Sequence, residues 1–192
     1  MALSGYPAKN HPQQASRRWP DDVDAVDDRA THPYNFAEFN ERFGPFTVDV
    51  AAAAHNTKCE RYYDRETDGL AQDWSGERVW CNPPFSDIGP WLRKAWASWA
   101  ATLGIVMLLP ANRTEQSWWQ QMVEPYRDRP NSPLSVEFLP GRMRFLAPGQ
   151  TAIGPNQRPP FGVCLLIWRQ PLAYRSDIVV GGLFGDQLGG VS

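Results

Sequence analysis

Residues 78–85 read RVWCNPPF, a short apolar strand pattern that runs directly into the turn Asn82-Pro83-Pro84-Phe85. A proline ring fixes φ and removes the backbone N–H, so two consecutive prolines make a stiff turn with few competing donors. The stretch therefore predicts a strand over Arg78–Cys81 whose carboxyl end carries a rigid polar turn. In open α/β sheets this is the edge at which ligands bind.

On both sides of this strand in the sequence, runs of apolar residues alternate with stretches in which apolar residues recur at helical spacing. Apolar runs bounded by Gly or Pro are typical of buried strands, and a period of three to four residues is typical of helices. This alternation predicts an α/β domain with a mainly parallel sheet and helices on both faces. The predicted strands are Phe46–Val50, Arg78–Cys81, Gly104–Leu109, Ser135–Leu139 and Gly162–Trp168, and the predicted helices are Tyr34–Phe43, Trp91–Leu103 and Thr114–Val123.

The domain organisation follows from length and local composition. The chain has 192 residues, of which 42% are hydrophobic, enough for one core. Residues 1–28 are rich in polar residues and end in an acidic run, which predicts a flexible arm. We expect the folded domain over 29–175, a loop over 147–160 and a Gly-rich tail over 176–192.

Charge and cysteine usage exclude several classes of protein. A net charge of −2 and a pI of about 5.9 argue against a strongly basic nucleic-acid coat protein. Three cysteines without a CxxC pair and three histidines without ligand spacing argue against a disulfide scaffold or a metal site. The apolar runs are too short to cross a bilayer, and Met1–Pro20 has no apolar signal segment. We therefore expect a cytoplasmic protein without metal or membrane partner.

The turn at Asn82 offers the acceptors needed to activate an aromatic amino group. The lone pair of such a nitrogen is delocalised into its ring, and accepting hydrogen bonds from both N–H groups returns electron density to it. The Asn82 side-chain oxygen and the Pro83 carbonyl are the candidate acceptors, and Pro84 keeps them rigid. Phe85 offers a face on which a base stacks, worth about 1–3 kcal/mol. The turn resembles the motif of amino methyltransferases, a resemblance that implies S-adenosylmethionine as the methyl donor.

The segment Phe46–Ala54 is a candidate cofactor site. Asp49 ends a predicted strand, and the small residues from Ala51 onward permit close approach of a nucleotide-like cofactor. The carboxylate would pair with the positively charged end of the methionine moiety, directly or through water. The competing interpretation is the start of an Ala-rich helix.

A second candidate lies in Thr67–Trp74, between two predicted strands. Either Asp68 or Asp73 would accept a hydrogen bond from the adenine amino group of the cofactor. An ordinary turn at Asp68-Gly69 explains the same pattern equally well.

Together these segments resemble the phage-type DNA N6-adenine methyltransferases, the phage Dam family. The resemblance rests on the order of FGPF, Asp49, NTKC, DGLAQ and VWCNPPF, and continues through MLLPA and FLPGRMRF to the strand that ends at Trp168. It covers about residues 28–168. It implies a Rossmann-like S-adenosylmethionine-dependent methyltransferase fold, with a flipped adenine at Asn82–Phe85. It also implies cofactor-binding roles for Thr31, Asp49, Ala51 and Asn56.

The expected partner is double-stranded DNA, bound by a monomer through local positive charge. The candidate phosphate-binding residues flank the predicted site: Arg93, Lys94, Arg113, Arg142, Arg144 and Arg158. Solvated surface arginines are the competing interpretation for each. The resemblance suggests a phage enzyme in the host cytoplasm that protects DNA from restriction.

Two alternatives to adenine methylation in DNA stay open on the sequence. The same turn serves other planar amino groups, namely cytosine N4, RNA adenine or a protein amide. The other alternative is a catalytically idle DNA-binding or anti-restriction protein on the same fold.

Overall fold

The computed structural model describes residue 27 and residues 29–146, 150–152, 159 and 161–169. The predicted arm except Asp27, most of the predicted loop, Arg158 and the predicted tail lie outside the described residues. In chain order the elements are β1 Ala30–Thr31, α1 Pro33–Phe43, β2 Val48–Asp49, β3 Arg61–Tyr62, β4 Arg78–Cys81, α2 Gly89–Ser98, β5 Gly104–Pro110, α3 Ser117–Met122, β6 Leu134–Phe138, β7 Phe145–Leu146 and β8 Val163–Trp168.

The central sheet has six strands in the order β3-β2-β4-β5-β8-β6. The strands β3, β2, β4 and β5 are parallel neighbours. The predicted last strand is present, but β8 runs antiparallel to both β5 and β6. The predicted α/β class with a mainly parallel sheet is confirmed, and β8 is the strand that departs from it. The carboxyl ends of β2, β4 and β5 meet at one edge, which carries Asp49 and Asn82.

Side chains alternate across the sheet into two apolar layers. Val79, Cys81 and Met107 face α2 and α3, whose buried residues include Leu92 and Trp119. Trp80, Val106 and Leu108 face the other way, against Phe39 of α1. The prediction of helices on both faces is therefore confirmed. The helices pack because their apolar residues recur at helical spacing.

Several predicted boundaries are wrong. The helix predicted over Trp91–Leu103 begins at Gly89 and ends at Ser98. The strand predicted over Phe46–Val50 is confined to Val48–Asp49, and the helix predicted over Thr114–Val123 to Ser117–Met122. The alternative of a helix start in Ala51–Ala54 is wrong, because that stretch forms bends and turns. The reason is local competition: Asn56 Oδ1 accepts the Ala53 N–H at 2.7 Å, and such side-chain acceptors favour turns over helices.

The strands β1, β3 and β7 were not predicted. Each has two residues, too few to show an alternating pattern. β1 and β7 pair antiparallel in a small separate sheet, which brings the start of the described chain to the edge of the domain that carries Asn82. Within the described ranges, no helix combines the length and apolar character needed to cross a membrane.

Candidate active site

The turn after β4 holds an acceptor that has no partner in the part of the chain that the structure describes. Asn82 is half-buried, and its side-chain Nδ2 donates a hydrogen bond of 2.9 Å to the Arg29 carbonyl oxygen. This contact fixes which way the amide faces. The Asn82 Oδ1 atom is buried and accepts no hydrogen bond from any residue that the structure describes. A buried acceptor of this kind costs free energy until a donor arrives, so the turn is suited to bind an N–H group.

Phe85 closes the turn and packs among other aromatic rings. Its ring centroid lies 6.1 Å from that of Phe145 and 6.2 Å from that of Phe161. Its backbone carbonyl accepts a hydrogen bond from Arg113 Nη1. Phe85 is half-buried. Pro83, one residue after Asn82, is buried.

The start of the described chain lies over the turn, and we call Asp27 together with Arg29–Thr31 the strap. The Asp27 carboxylate accepts hydrogen bonds from the Ser86 backbone N–H, at 3.2 Å, and from the Ser86 hydroxyl. Arg29 supplies the carbonyl that orients Asn82. Ala30 and Thr31 pair with Leu146 and Phe145. The strap is thus anchored at both ends.

A cleft lies between the strap and the carboxyl ends of β2 and β4. Its volume is about 260 Å³, counting the part open to solvent. Three of its buried polar atoms have no partner among the described residues: Thr31 Oγ1, Trp80 Nε1 and Asn82 Oδ1. The cleft therefore offers both a donor and acceptors. Its lining consists of Asp27, Arg29, Ala30, Thr31, Asp49, Ala51, Asn56, Lys58, Trp80 and Asn82.

Asp49 occupies the far side of this cleft, and its carboxylate already has partners. One oxygen accepts the Lys58 N–H at 3.0 Å and the other accepts the Ala51 N–H at 3.4 Å. Burial raises the pKa of Asp49 to about 6, although these two N–H groups and the charge of Lys58 act to lower it. The carboxylate therefore both shapes the loop and places a buried titratable group beside the cleft.

Most sequence-predicted cofactor residues converge on the cleft. Thr31, Asp49, Ala51 and Asn56 all line it together with Asn82. Asp68 and Asp73 are exposed and do not line it. The Asp68 carboxylate accepts the Leu70 N–H at 3.1 Å.

The Asp73 carboxylate instead accepts hydrogen bonds from Ser75. Oδ1 of Asp73 accepts the Ser75 N–H at 2.9 Å and the Ser75 hydroxyl at 2.7 Å, and these bonds lower the pKa of Asp73. Asp68 and Asp73 thus take part in local turns, and their cofactor roles stay predictions.

The predicted DNA-binding residues fall into distinct environments. Arg93 and Arg142 are exposed, and Arg144 is half-buried. Lys94 Nζ lies 5.6 Å from the centroid of the Trp74 ring, and its charge contributes to the lowered pKa of Asp73. Arg113 is half-buried against Phe85. None of these placements tests a role in DNA binding.

Sequence reasoning missed five residues that line the cleft. They are Asp27, Arg29, Ala30, Lys58 and Trp80. Trp80 lies opposite Asp49 in the register of β2 and β4, and both belong to predicted strands, so the alternation of faces places them together. For the strap the sequence carries no comparable signal, because Arg29 and Asn82 are 53 residues apart.

The sheet order with its one antiparallel strand and the Asn-Pro-Pro-Phe turn at the carboxyl end of β4 define the Rossmann-like class of methyltransferase folds. The chain belongs to the DNA N-6-adenine-methyltransferase (Dam) family, whose model matches residues 22–180. The resemblance drawn from the sequence motifs is confirmed by this match.

Two phage relatives and one solved structure are similar to the chain. Identity to the DNA N-6-adenine-methyltransferase of Escherichia phage T1 is 34% over 100 residues, 51% of this chain and 42% of the relative. Identity to the DNA N-6-adenine-methyltransferase of Haemophilus phage HP1 (strain HP1c1) is 36% over 64 residues, 32% of this chain and 35% of the relative. The matched stretches thus span less than half the length of these relatives.

The structure is that of a candidate RNA methyltransferase from Pyrococcus horikoshii. It matches with a TM-score of 0.42 and 10% identity, over 74% of this chain and 82% of the other.

Proposed function

We propose that the protein transfers a methyl group from S-adenosylmethionine to the N6 amino group of adenine in double-stranded DNA. The observation that carries this proposal is Asn82 Oδ1, a buried acceptor without a partner among the described residues, in a member of the Dam family. A neutral amino group with two N–H bonds is the ligand that such an acceptor and the adjacent Pro83 carbonyl suit best.

The chain's own residues would act chiefly by positioning. The adenine leaves the base stack and lies against Phe85, while its N6 hydrogens face Asn82 Oδ1 and the Pro83 carbonyl. These two contacts restore electron density to N6. S-adenosylmethionine supplies the electrophilic methyl group when bound. The N–C bond forms as the C–S bond breaks, and one amino proton leaves to water, so the reaction needs no dedicated general base.

The cleft residues fit the polar end of S-adenosylmethionine. Asp49 carries a carboxylate suited to the cationic amino group. Thr31 Oγ1 and Trp80 Nε1, which have no partner among the described residues, offer further hydrogen bonds. Ala51 and Asn56 also line the cleft and would contact the same end of the cofactor. Asp68 or Asp73 would serve the adenine end only after rearrangement of their local turns.

DNA would be held by the positive charges of Arg93, Lys94, Arg142, Arg144 and Arg158. We further propose that residues 29–175 form the catalytic domain, outside which lie the arm and the tail. The enzyme would act as a monomer in the cytoplasm, and restriction evasion is a role consistent with its phage relatives.

The test is methylation of unmodified DNA, followed by digestion to nucleosides and mass spectrometry. We expect N6-methyladenine from the wild type and about a thousandfold less from Asn82→Ala, as for loss of other preorganised groups at a reacting atom. Asn131→Ala is the matched control, because Asn131 is exposed and does not line the cleft.

The products distinguish the alternatives. N4-methylcytosine would keep the chemistry and replace the base. Methylation of RNA or a protein amide, offered in the same assay, would replace the substrate class. No product and no binding of S-adenosylmethionine would favour an idle DNA-binding protein.

A further inference from the structure

Arg113 lies where it contacts the catalytic turn. It follows β5, whose carboxyl end is adjacent to that of β4 in the parallel part of the sheet. Its guanidinium Nη1 donates to the Phe85 carbonyl oxygen, a contact that joins residues 28 positions apart in sequence. The side chain is half-buried in this contact.

The surroundings of Arg113 do not favour a phosphate contact. Glu115 lies close enough for the charge of Arg113 to contribute to the lowered pKa of its carboxyl, although a hydrogen bond from Gln116 contributes more. This carboxylate offsets part of the positive charge and would repel a phosphate. A phosphate contact would also compete with the Phe85 carbonyl for the same side chain.

The contact suits a positioning role. The turn from Asn82 to Phe85 contains two prolines, which supply no N–H to hold the neighbouring carbonyl groups. A hydrogen bond from a charged donor is stronger than one from a neutral donor, and a guanidinium keeps its charge at any working pH. Arg113 therefore holds the last residue of the turn from the β5 side, while the strap holds the first from the other side.

We infer that Arg113 is a positioning residue, which fixes Phe85 at the height where the target base stacks, and is not a phosphate ligand. The inference rests on the proposed function for its catalytic consequence. Loss of Arg113 should lower the rate of methyl transfer and leave the affinity for DNA nearly unchanged.

The experiment compares Arg113→Lys and Arg113→Ala with the wild type. Arg129→Gln is the control, because Arg129 is exposed and is not one of the residues that line the cleft. Hydrogen–deuterium exchange first reports the turn itself, through the backbone N–H groups of Phe85, Ser86 and Asp87. Losing one charge-assisted hydrogen bond of about 1.5 kcal/mol should speed their exchange about tenfold in Arg113→Ala, and Arg129→Gln should show no change there.

Single-turnover methylation and DNA binding at several salt concentrations follow. We expect the transfer rate of Arg113→Ala to fall about 100-fold, as for other small misplacements of a reacting group. The slope of log affinity against log salt should stay that of the wild type. Arg113→Lys should recover part of the transfer rate. A lysine can donate only one hydrogen bond to the Phe85 carbonyl, so the protection of the turn from exchange should recover only as far as that single bond allows.

The outcomes separate the two hypotheses. Unchanged exchange at Phe85–Asp87 in Arg113→Ala would overturn the inference. A salt slope reduced by about 0.9, with full recovery in Arg113→Lys, would also overturn it and assign Arg113 to a phosphate. Failure of the wild type to methylate adenine would instead refute the proposed function, while the exchange measurement would still decide whether Arg113 holds Phe85.

Discussion

The two sides of the cleft differ in how their polar atoms are used. At the Asn82 side, the amide nitrogen is held by the Arg29 carbonyl and the oxygen is left without a partner among the described residues. At the Asp49 side, both carboxylate oxygens already accept backbone N–H groups. The first side is a preorganised acceptor, and the second is a charge that also stabilises a loop.

This difference predicts which contacts are sensitive to substitution. An acceptor oriented by a single hydrogen bond loses its direction when that bond is removed. A carboxylate held by two N–H groups keeps its position, and its effect on a ligand then depends on its protonation state. The Asn82 side should therefore respond to geometry, and the Asp49 side to pH.

The largest effect after removal of the Asn82 side chain should come from Asn82→Asp. A carboxylate keeps an acceptor toward the base but has no donor for the Arg29 carbonyl, so the two oxygens repel. We expect the rate constant for methyl transfer to fall about 100-fold at neutral pH, which is within the cost of a buried group left unpaired. Single-turnover kinetics would measure it.

Asn82→Gln serves as the companion variant, since it keeps both amide atoms but moves them by one methylene. An Asn82→Asp protein with the wild-type rate would show that the Arg29 contact does not orient the amide. The Asn82 side of the cleft would then not depend on the geometry of that hydrogen bond.

Phe85→Ala should have the next largest effect. Stacking of a base on an aromatic ring is worth about 1–3 kcal/mol, so we expect about a 30-fold loss in engagement of the flipped adenine. Fluorescence of 2-aminopurine at the target position reports this engagement. Phe85→Tyr keeps the aromatic face and should recover most of it, whereas equal losses in Phe85→Tyr and Phe85→Ala would contradict stacking as the cause.

The sequence sufficed to predict the turn at Asn82–Phe85 because the geometry of that turn is local. Two prolines next to Asn82 decide the backbone there, whatever the rest of the chain does. The alternation of apolar residues likewise predicted β4 and β5, since long buried strands show their pattern directly. The residues that determine each of these features lie within a few positions of one another in the sequence.

The strap could not be predicted because its contacts are tertiary. Arg29 and Asn82 are 53 residues apart, and β1 has two residues without a pattern of its own. The turns after Asp49 were ambiguous for a related reason. Their alanines favour a helix, and only the hydrogen bonds made by Asp49 and Asn56 show why the chain bends instead.

The pH dependence of cofactor binding tests the Asp49 side. Burial raises the pKa of Asp49 to about 6, so the carboxylate is charged at pH 7 and mostly protonated at pH 5. A cationic amino group binds the charged form, and its presence lowers the pKa of Asp49 again. Binding should therefore release a proton below pH 6, and Kd for S-adenosylmethionine should rise about tenfold from pH 7 to pH 5.

Calorimetry in buffers of different ionisation enthalpy measures both the affinity and the released proton. In Asp49→Asn, affinity should be lower at pH 7 and nearly independent of pH over the same range. A wild-type slope preserved in Asp49→Asn would assign the titration to another group. Asp49 would then stabilise its loop without causing the pH dependence of cofactor binding.

The smallest expected effect concerns Trp80, which connects the two sides of the cleft. Its ring packs against Phe36, Phe39 and Phe46 at centroid distances of 5.4, 5.8 and 5.5 Å, while its Nε1 has no partner among the described residues. Trp80→Phe keeps an aromatic ring in this cluster and removes the N–H. If the N–H donates to the cofactor, Kd for S-adenosylmethionine should rise about fivefold, the worth of one hydrogen bond.

Trp168→Phe is the matched control for Trp80→Phe. Trp168 is also buried with an Nε1 that lacks a partner in the described part of the chain, but it does not line the cleft. Both variants lose comparable packing, so their melting temperatures should fall by similar amounts. A selective loss of affinity in Trp80→Phe would assign the N–H to the ligand, because only that side chain reaches the cleft. Equal affinities in the two variants would leave Trp80 as core and confine ligand recognition to Asp49 and Asn82.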